Sequence, residues 1–458
     1  MDKTNICIIG AGASGLSSIC SFLDSKNKGE TIPNIVCYEK QKEWGGLWNY
    51  NWRTGLDEFG EPVHNSMYRH LWSNGPKECL EFSNYSFDQH FQKPIPSYPP
   101  REVLYDYITG RFKNTNAMEI IKFSHVVKSC KYYETVGKFK IIVHDNINNK
   151  DFEEYYDWVI CATGHFSTPN VPQWSGMDTF PGRIIHSHDF RNAEEMSGKD
   201  ILIIGTSYSA EDIASQCFKY GVKSVTLSWR TKPMKFNWPD NFTTVPLLEK
   251  IIGNTCYFKD TSTKKIDTII LCTGYLHHFP YMNEDLKLKT NNRLYPNSLY
   301  DGVVYVNNPK LFYVGMQDQW FTFNMFDAQA WYIRDVILGK IKLPDKNTMI
   351  EKITSMQTLA DNLDSTDEAQ IRFQANYLKE LLNMTDLNDF DIEGVVKCFL
   401  EWEHNKEHNI MEFRDYSHTS LITGTNASTH KKKWLNEYDD SLENFLNVKD
   451  VRHNYVYP

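Results

Sequence analysis

Ile6-Cys7-Ile8-Ile9-Gly10-Ala11-Gly12-Ala13-Ser14-Gly15 lies near the start of the chain. A second stretch of the same pattern, Ile201-Leu202-Ile203-Ile204-Gly205-Thr206-Ser207-Tyr208-Ser209-Ala210, comes far downstream. Each reads as a short apolar β-run that turns on glycine into a helix. The N-terminus of such a helix presents unpaired N–H groups to a pyrophosphate. Two such turns in one chain predict two dinucleotides held face to face, the arrangement that redox chemistry needs. The expected fold class is α/β: two dinucleotide-binding, Rossmann-like domains, the second inserted in the first, with a helical C-terminal segment.

The first turn fits G-x-G-x-x-G at Gly10, Gly12 and Gly15, with a strand before it and a helix after it. Gly10 permits the tight turn, Gly12 lets the backbone reach phosphate, and Gly15 lets helix and strand approach closely. The next β-run, Asn34-Ile35-Val36-Cys37-Tyr38, ends at Glu39. A carboxylate there accepts ribose hydroxyls and repels a 2′-phosphate, so this site favours FAD or NAD over NADP. The second turn keeps Gly205 but has Ser207 and Ala210 where the other glycines would stand. Its weight comes from Arg230-Thr231, which follow Val225-Thr226-Leu227-Ser228-Trp229. A guanidinium and a hydroxyl in place of the carboxylate select the 2′-phosphate of NADPH. A chance glycine turn and an ordinary surface arginine are the bland readings, and the paired context outweighs both.

With 458 residues, the chain has room for two or three domains. Charged residues make up 23% and the apolar set 41%, a globular balance. A net charge of −9 argues against nucleic acid or an anionic membrane as the main partner. An anionic cofactor therefore has to be drawn in by local donors. The ten cysteines include no C-x-x-C pair and suit neither a disulfide framework nor a zinc site. They read as reduced core thiols of a cytoplasmic protein. No signal peptide, membrane span or tail anchor is expected, the run Asn447-Val448-Lys449-Asp450 being polar.

Residues 44–100, rich in Trp, Tyr, Asn, Pro and Gly, read as long ordered loops over a site. Residues 120–160 read as antiparallel strands ending in Cys161-Ala162-Thr163-Gly164, and Cys272-Thr273-Gly274-Tyr275 repeats that ending. A Pro-rich connector, Thr168-Pro169-Asn170-Val171-Pro172, opens the second module. The division expected is 1–167 and 278–458 for FAD and 168–277 for NADP. Residues 345–410 carry helical periodicity and read as a packing or dimer element. The sequon Asn426-Ala427-Ser428 and the run Lys431-Lys432-Lys433 carry no functional reading.

Between the two turns, Phe180-Pro181-Gly182-Arg183-Ile184-Ile185-His186-Ser187-His188-Asp189-Phe190 fits F-x-G-x-x-x-H-x-x-x-F. With both turns, Glu39 and Trp44-Gly45-Gly46-Leu47-Trp48, this pattern resembles the flavin-containing monooxygenases. Leu71-Trp72-Ser73-Asn74-Gly75-Pro76-Lys77 and Ser207-Tyr208-Ser209-Ala210-Glu211-Asp212 are similar to the family's small soluble bacterial branch. The resemblance implies that Ser14, Gln41, Leu47, Trp48, His64, Val127, Gln319 and Thr322 line FAD. It implies that Trp72, Tyr208, Ser209 and Arg230 meet NADPH, with Arg414 a candidate for the same phosphate region. Asn74 and Tyr208 are the expected catalytic residues. No metal is expected, and His186 reads as a structural histidine.

The reaction implied by the resemblance runs from NADPH to FAD to O2. The reduced flavin forms a C4a-hydroperoxide that oxygenates a soft lone pair on a small amine or sulfide. Trimethylamine leads, dimethyl sulfide follows, and a homodimer is expected. Three alternatives stay open. Baeyer–Villiger ketone oxygenases carry tryptophan near the end of the signature, where this chain has Phe190. Disulfide reductases need a redox-active cysteine pair near the flavin, and the sequence presents none. A non-catalytic nucleotide-binding interaction protein is the third.

Overall fold

The computed structural model describes residues 4–113 and 115–447. The polar run expected beyond Asn447 lies outside the described residues. The first β-run forms the strand Asn5–Ile9, whose parallel neighbours are Asn34–Tyr38 and Trp158–Cys161. These three anchor a seven-stranded sheet. Ile121–Lys122 closes one edge, while Leu311–Tyr313 leads to a short antiparallel pair, Leu299–Tyr300 and Val304–Tyr305, at the other. Ile6, Cys7 and Ile8 are fully buried. Both faces are covered, which explains why the run is continuously apolar rather than alternating. On one face the helix Ala13–Asn27 packs against the helix Thr322–Ile337.

The second run repeats the plan. Asp200–Ile204 lies between Ser224–Trp229 and Thr268–Leu271 in an all-parallel sheet of five, completed by Phe242–Pro246 and Arg183–His186. This sheet is built wholly from residues lying, in sequence, between strands of the first sheet. The two crossings of the chain run together: Thr168–Pro169 pairs antiparallel with Tyr275–Leu276. His186 fastens this double linker. Its Nδ1 accepts the His188 backbone N–H at 3.0 Å, which leaves Nε2–H to donate to the Gly274 carbonyl at 3.0 Å. Burial holds the imidazole down at about 4, which favours the neutral form that both bonds require.

The remaining elements follow the expected pattern, with additions. Residues 125–156 form the antiparallel meander His125–Tyr133, Lys138–Asp145 and Lys150–Tyr156. Residues 44–100 are mostly irregular, with short turns of helix at Gly46–Trp48, Lys77–Cys79 and Phe87–Phe91. The C-terminal helices Lys346–Asp361, Asp367–Met384 and Ile392–His408 begin on Asp345, Thr366 and Asp391. Each of these side chains accepts a first-turn N–H. All ten cysteines are free, and all but Cys20 are buried. Among the described residues no helix is long and apolar enough to cross a membrane.

The segment after Asn409 straps both halves together. Trp434 and Tyr438 from this strap, with Trp72 and Tyr220, surround the Lys219 ammonium at 4.6, 5.6, 5.5 and 5.9 Å. Among the described residues its nitrogen has no hydrogen-bond acceptor. Burial and the Arg414 charge push Lys219 down to about 7, against the opposing pull of Asp440, Glu437 and Asp212. The folded pKa lies below the unfolded one. The destabilisation is therefore full below about 7 and fades as pH rises toward ~10.4. Lys219→Met should raise the thermal midpoint most at pH values below 7, and the gain should shrink steadily on the alkaline side. Calorimetry across that range checks the sign.

Candidate functional site

A cavity of about 950 Å³ opens along the carboxyl ends of both sheets and is walled by both glycine turns. At each turn the glycine after the strand lies against a carbonyl after the neighbouring strand. A Cβ on Gly10 would come within 2.8 Å of the Ala162 oxygen, and one on Gly205 within 2.1 Å of the Cys272 oxygen. Both glycines have positive φ, +100° and +125°. The repeated ending, Ala162-Thr163-Gly164 and Cys272-Thr273-Gly274, is thus the floor on which each turn rests. Gly15 is locked in the same way, since its Cβ would fall 1.9 Å from the Gly10 oxygen.

Ser207 occupies the position of Gly12, and the geometry shows why serine suffices. Both are helix caps in extended conformation, with φ −73° at Gly12 and −120° at Ser207. At neither cap does a side chain accept a first-turn N–H; in the second helix the Ala210 N–H bonds the Ser207 carbonyl at 2.8 Å, while Tyr208 and Ser209 at its start line the cavity. The close neighbour constrains Gly46 instead: a Cβ on Gly46 would lie 2.9 Å from the Gly12 Cα, whereas one on Gly12 would meet Gly46 at an ordinary 3.5 Å.

Glu39 is buried and directed at the first turn. Oε2 accepts the Ala11 N–H at 2.6 Å and Oε1 the Gln41 N–H at 2.8 Å. Burial raises its carboxyl and these two donors pull it back down. Arg230, at the corresponding place after the second sheet's strand, is exposed and lines the cavity. The two turns therefore offer opposite charge, one buried and hydrogen-bonded, the other exposed to solvent.

Gly10, Gly12, Ser14, Glu39, Gln41, Leu47, Trp48, His64 and Val127 all line one end of the cavity, with Gln319 and Thr322. His64 is held neutral by burial, down at about 3. A bulge between Val127 and Ser129 sets the local register of the meander at Val127. Trp72, Asn74, Ser207, Tyr208, Ser209 and Arg230 also line it. Four expected residues do not. Gly15 and Gly205 act one layer behind, as packing positions. Thr231 is exposed outside the lining.

Arg414 requires a correction. It is 1% exposed and does not reach the cavity. Its Nε donates to the Ser73 carbonyl at 3.1 Å and its other end pairs with Asp212. It clamps the turn bearing Asn74 to the helix that begins at Tyr208 rather than offering charge to a phosphate. Asn74 itself is exposed on that turn, where Ser73 Oγ donates to the Gly75 carbonyl at 2.5 Å.

Sequence reasoning placed Tyr208 at the site but missed the part of its wall that Phe399 and Trp402 supply. Tyr208 stacks on Trp402 at 6.0 Å and meets Trp320 edge-on at 6.0 Å; Trp320 in turn meets Phe399 at 5.7 Å. All four line the cavity. Phe399 and Trp402 belong to the helix Ile392–His408, so the segment expected only to pack also shapes the site. Behind the wall, the Lys406 ammonium lies 4.8 Å from the Tyr208 ring and 4.4 Å from the Trp402 ring. It bonds Glu211 at 3.0 Å and Glu403 at 3.1 Å. Burial raises Glu403 to about 7 and raises the Tyr208 phenol, which stays protonated. The sequence carried no spacing signal for this wall; only the tertiary fold brings Trp402 to Trp320. A second miss is a cysteine pair: Cys79, on the cavity lining, meets Cys398. Among the described residues no cluster could hold a metal ion.

Comparison with known proteins adds three findings. The family model described as flavin-binding monooxygenase-like matches residues 3–236 and 243–391. Trimethylamine monooxygenase of Methylocella silvestris is 54% identical over 97% of this chain and 98% of its own length. That of Roseovarius sp. strain 217 is 56% identical over 97% and 100%. The crystal structure of Tmm from Pelagibacter sp. strain HTCC7211 matches with a TM-score of 0.94 at 52% identity, covering 96% of this chain and 100% of that one.

Glu39→Gln tests the dry carboxylate. An amide presents one oxygen and one NH2 to two N–H donors, so one donor loses its acceptor. A cost of about 1–3 kcal/mol is expected, read as a lower urea midpoint; an unchanged midpoint would contradict the geometry.

Proposed function

Because this chain belongs to the flavin-binding monooxygenase-like family, we propose that it is an FAD- and NADPH-dependent enzyme that places one oxygen atom of O2 on the nitrogen of trimethylamine. Small sulfides such as dimethyl sulfide form its second substrate class, since sulfur brings an equally soft lone pair. The observation that carries this reading is the single cavity shared by both glycine turns and the aromatic wall. The relatives' names support the amine.

The residues fit both groups. Gly10, Gly12 and Ser14 cradle the FAD pyrophosphate, and Glu39 has lone pairs left for ribose hydroxyls. Gln41, Leu47, Trp48, His64, Val127, Gln319 and Thr322 follow along the flavin. Ser207 and Ser209 form the second cradle, on the turn that Gly205 permits, with Arg230 at the 2′-phosphate and Trp72 beside the coenzyme. Residues 168–277 take NADPH, and 1–167 with 278–458 take FAD. The bound flavin supplies the oxygen-activating redox chemistry, with electrons from NADPH.

The chain's own side chains have three tasks. The Asn74 amide both donates and accepts, so it can hold coenzyme and reacting oxygen in one register. Tyr208, Trp320, Phe399 and Trp402 exclude water and give methyl groups an apolar box. The Tyr208 hydroxyl, kept protonated by burial, donates without adding charge. No protein nucleophile is required. The substrate must react as the free amine, because an ammonium has no lone pair, so turnover should rise from neutral to mildly alkaline pH.

Isotopically labelled O2 tests the reading: label is expected in the recovered trimethylamine N-oxide, and unlabelled product would end it. Arg230→Ala should weaken NADPH binding by about 1.5–3 kcal/mol, the loss of a charge-assisted contact, while NADH use stays level; an unchanged NADPH preference would refute the assignment. Asn74→Ala should remain folded and yellow with oxygenation largely lost, and full amine turnover would remove Asn74 from the mechanism.

A further inference from the structure

Cys79 closes the helical turn Lys77–Cys79, and Cys398 lies in the helix Ile392–His408, directly before Phe399. The two thiols are far apart in sequence, and the fold packs the turn and the helix that carry them against each other, one thiol beside the other. Cys79 is also on the cavity lining. His418 completes the group. Its Nδ1 is 3.8 Å from the Cys398 sulfur and its Nε2 is 3.1 Å from the Tyr98 hydroxyl. Glu401 lies 3.7 Å from the same Nδ1. Ser97 Oγ accepts the His418 backbone N–H at 2.8 Å and donates to Glu78 at 3.1 Å, while Lys77 neutralises Glu78 at 2.7 Å.

We propose that Cys79 and Cys398 are a dithiol that hydrogen peroxide oxidises to a disulfide on the cavity wall, fixing the helix of Phe399 and Trp402 to the turn that follows Asn74. The Cys398 sulfur attacks one oxygen of the peroxide. An S–O bond forms, the O–O bond breaks, and the departing hydroxide takes the thiol proton and leaves as water. The Cys79 sulfur then attacks the Cys398 sulfur. The S–S bond forms, the S–O bond breaks, and a second water carries away the Cys79 proton. Two thiols lose two electrons and one peroxide gains them.

The division of labour follows from the surroundings. Donors at Cys79 and His418 hold the Cys398 thiol down at about 7. Every other cysteine is pushed up by burial. Thiolate character selects Cys398 as the attacking sulfur, and adjacency selects Cys79 as the resolving one. A disulfide needs an S–S distance of about 2.05 Å, so the two elements must draw together, and the aromatic wall moves with them. The oxidation itself requires only peroxide and does not depend on the amine reading.

The test treats the flavin-loaded protein with hydrogen peroxide, blocks free thiols with N-ethylmaleimide and maps peptides without reduction. A Cys79–Cys398 cross-linked peptide that dithiothreitol reverses is expected. In Cys79→Ser, dimedone should label Cys398. Treated wild type should lose most of its NADPH turnover with amine and regain it with dithiothreitol, whereas Cys398→Ser should keep its own starting rate through the treatment. Oxidation elsewhere without the cross-link, a dimedone adduct on another cysteine, or turnover unaffected in fully cross-linked protein would each overturn the proposal.

Discussion

The contact on which the site depends is a glycine Cα pressed against a peptide oxygen of the adjacent strand. It occurs twice, at Gly10 over Ala162 and at Gly205 over Cys272. A Cβ at either place would meet backbone, which cannot move aside without displacing a central strand. Each contact lets the chain leave its strand and enter its helix within three residues. Each also turns a helix N-terminus toward the space above the strands' carboxyl ends, where parallel sheets bind ligands. Because the geometry is shared, the two sheets present equivalent cradles to one cavity, and what distinguishes them is the residue after the next strand.

That residue divides the two sites by solvation as well as by sign. Glu39 is buried and held by two N–H groups, so its carboxylate is positioned before any ribose arrives. Arg230 is exposed, as a group suited to a phosphate that must enter and leave. On the proposed reading, that difference separates a retained flavin from an exchanging coenzyme. The aromatic wall then closes the space between them, backed by a buried lysine whose charge is already met by Glu211 and Glu403.

Most of this was legible in local sequence. The two turns, Glu39, Arg230 and the repeated small-Thr-Gly ending are each set by neighbours within a few positions, and strand–turn–helix geometry converts such spacing directly into place. The antiparallel meander over 125–156 and the three C-terminal helices were legible for the same reason, from alternation and 3.6-residue periodicity. What failed to show were contacts between segments remote in sequence. Trp402 reads as a core residue of an amphipathic helix until Trp320 stands opposite it. Cys79 and Cys398 read as two isolated core thiols until the strap brings His418 beside them. Arg414 misled because a motif-borne arginine beside a phosphate-binding helix and one tied to a carboxylate look alike in sequence; only burial tells them apart.

The Arg414–Asp212 pair carries one more implication. It joins the loop of Ser73 and Asn74 to the helix starting at Tyr208, and both partners are shielded from water. Parting them would strand a lone carboxylate in an apolar setting, at about 3–5 kcal/mol. A hinge that swings one half of the molecule away from the other is therefore an expensive way to release spent coenzyme. A path past the exposed Arg230, at the rim of the cavity, leaves that frame shut.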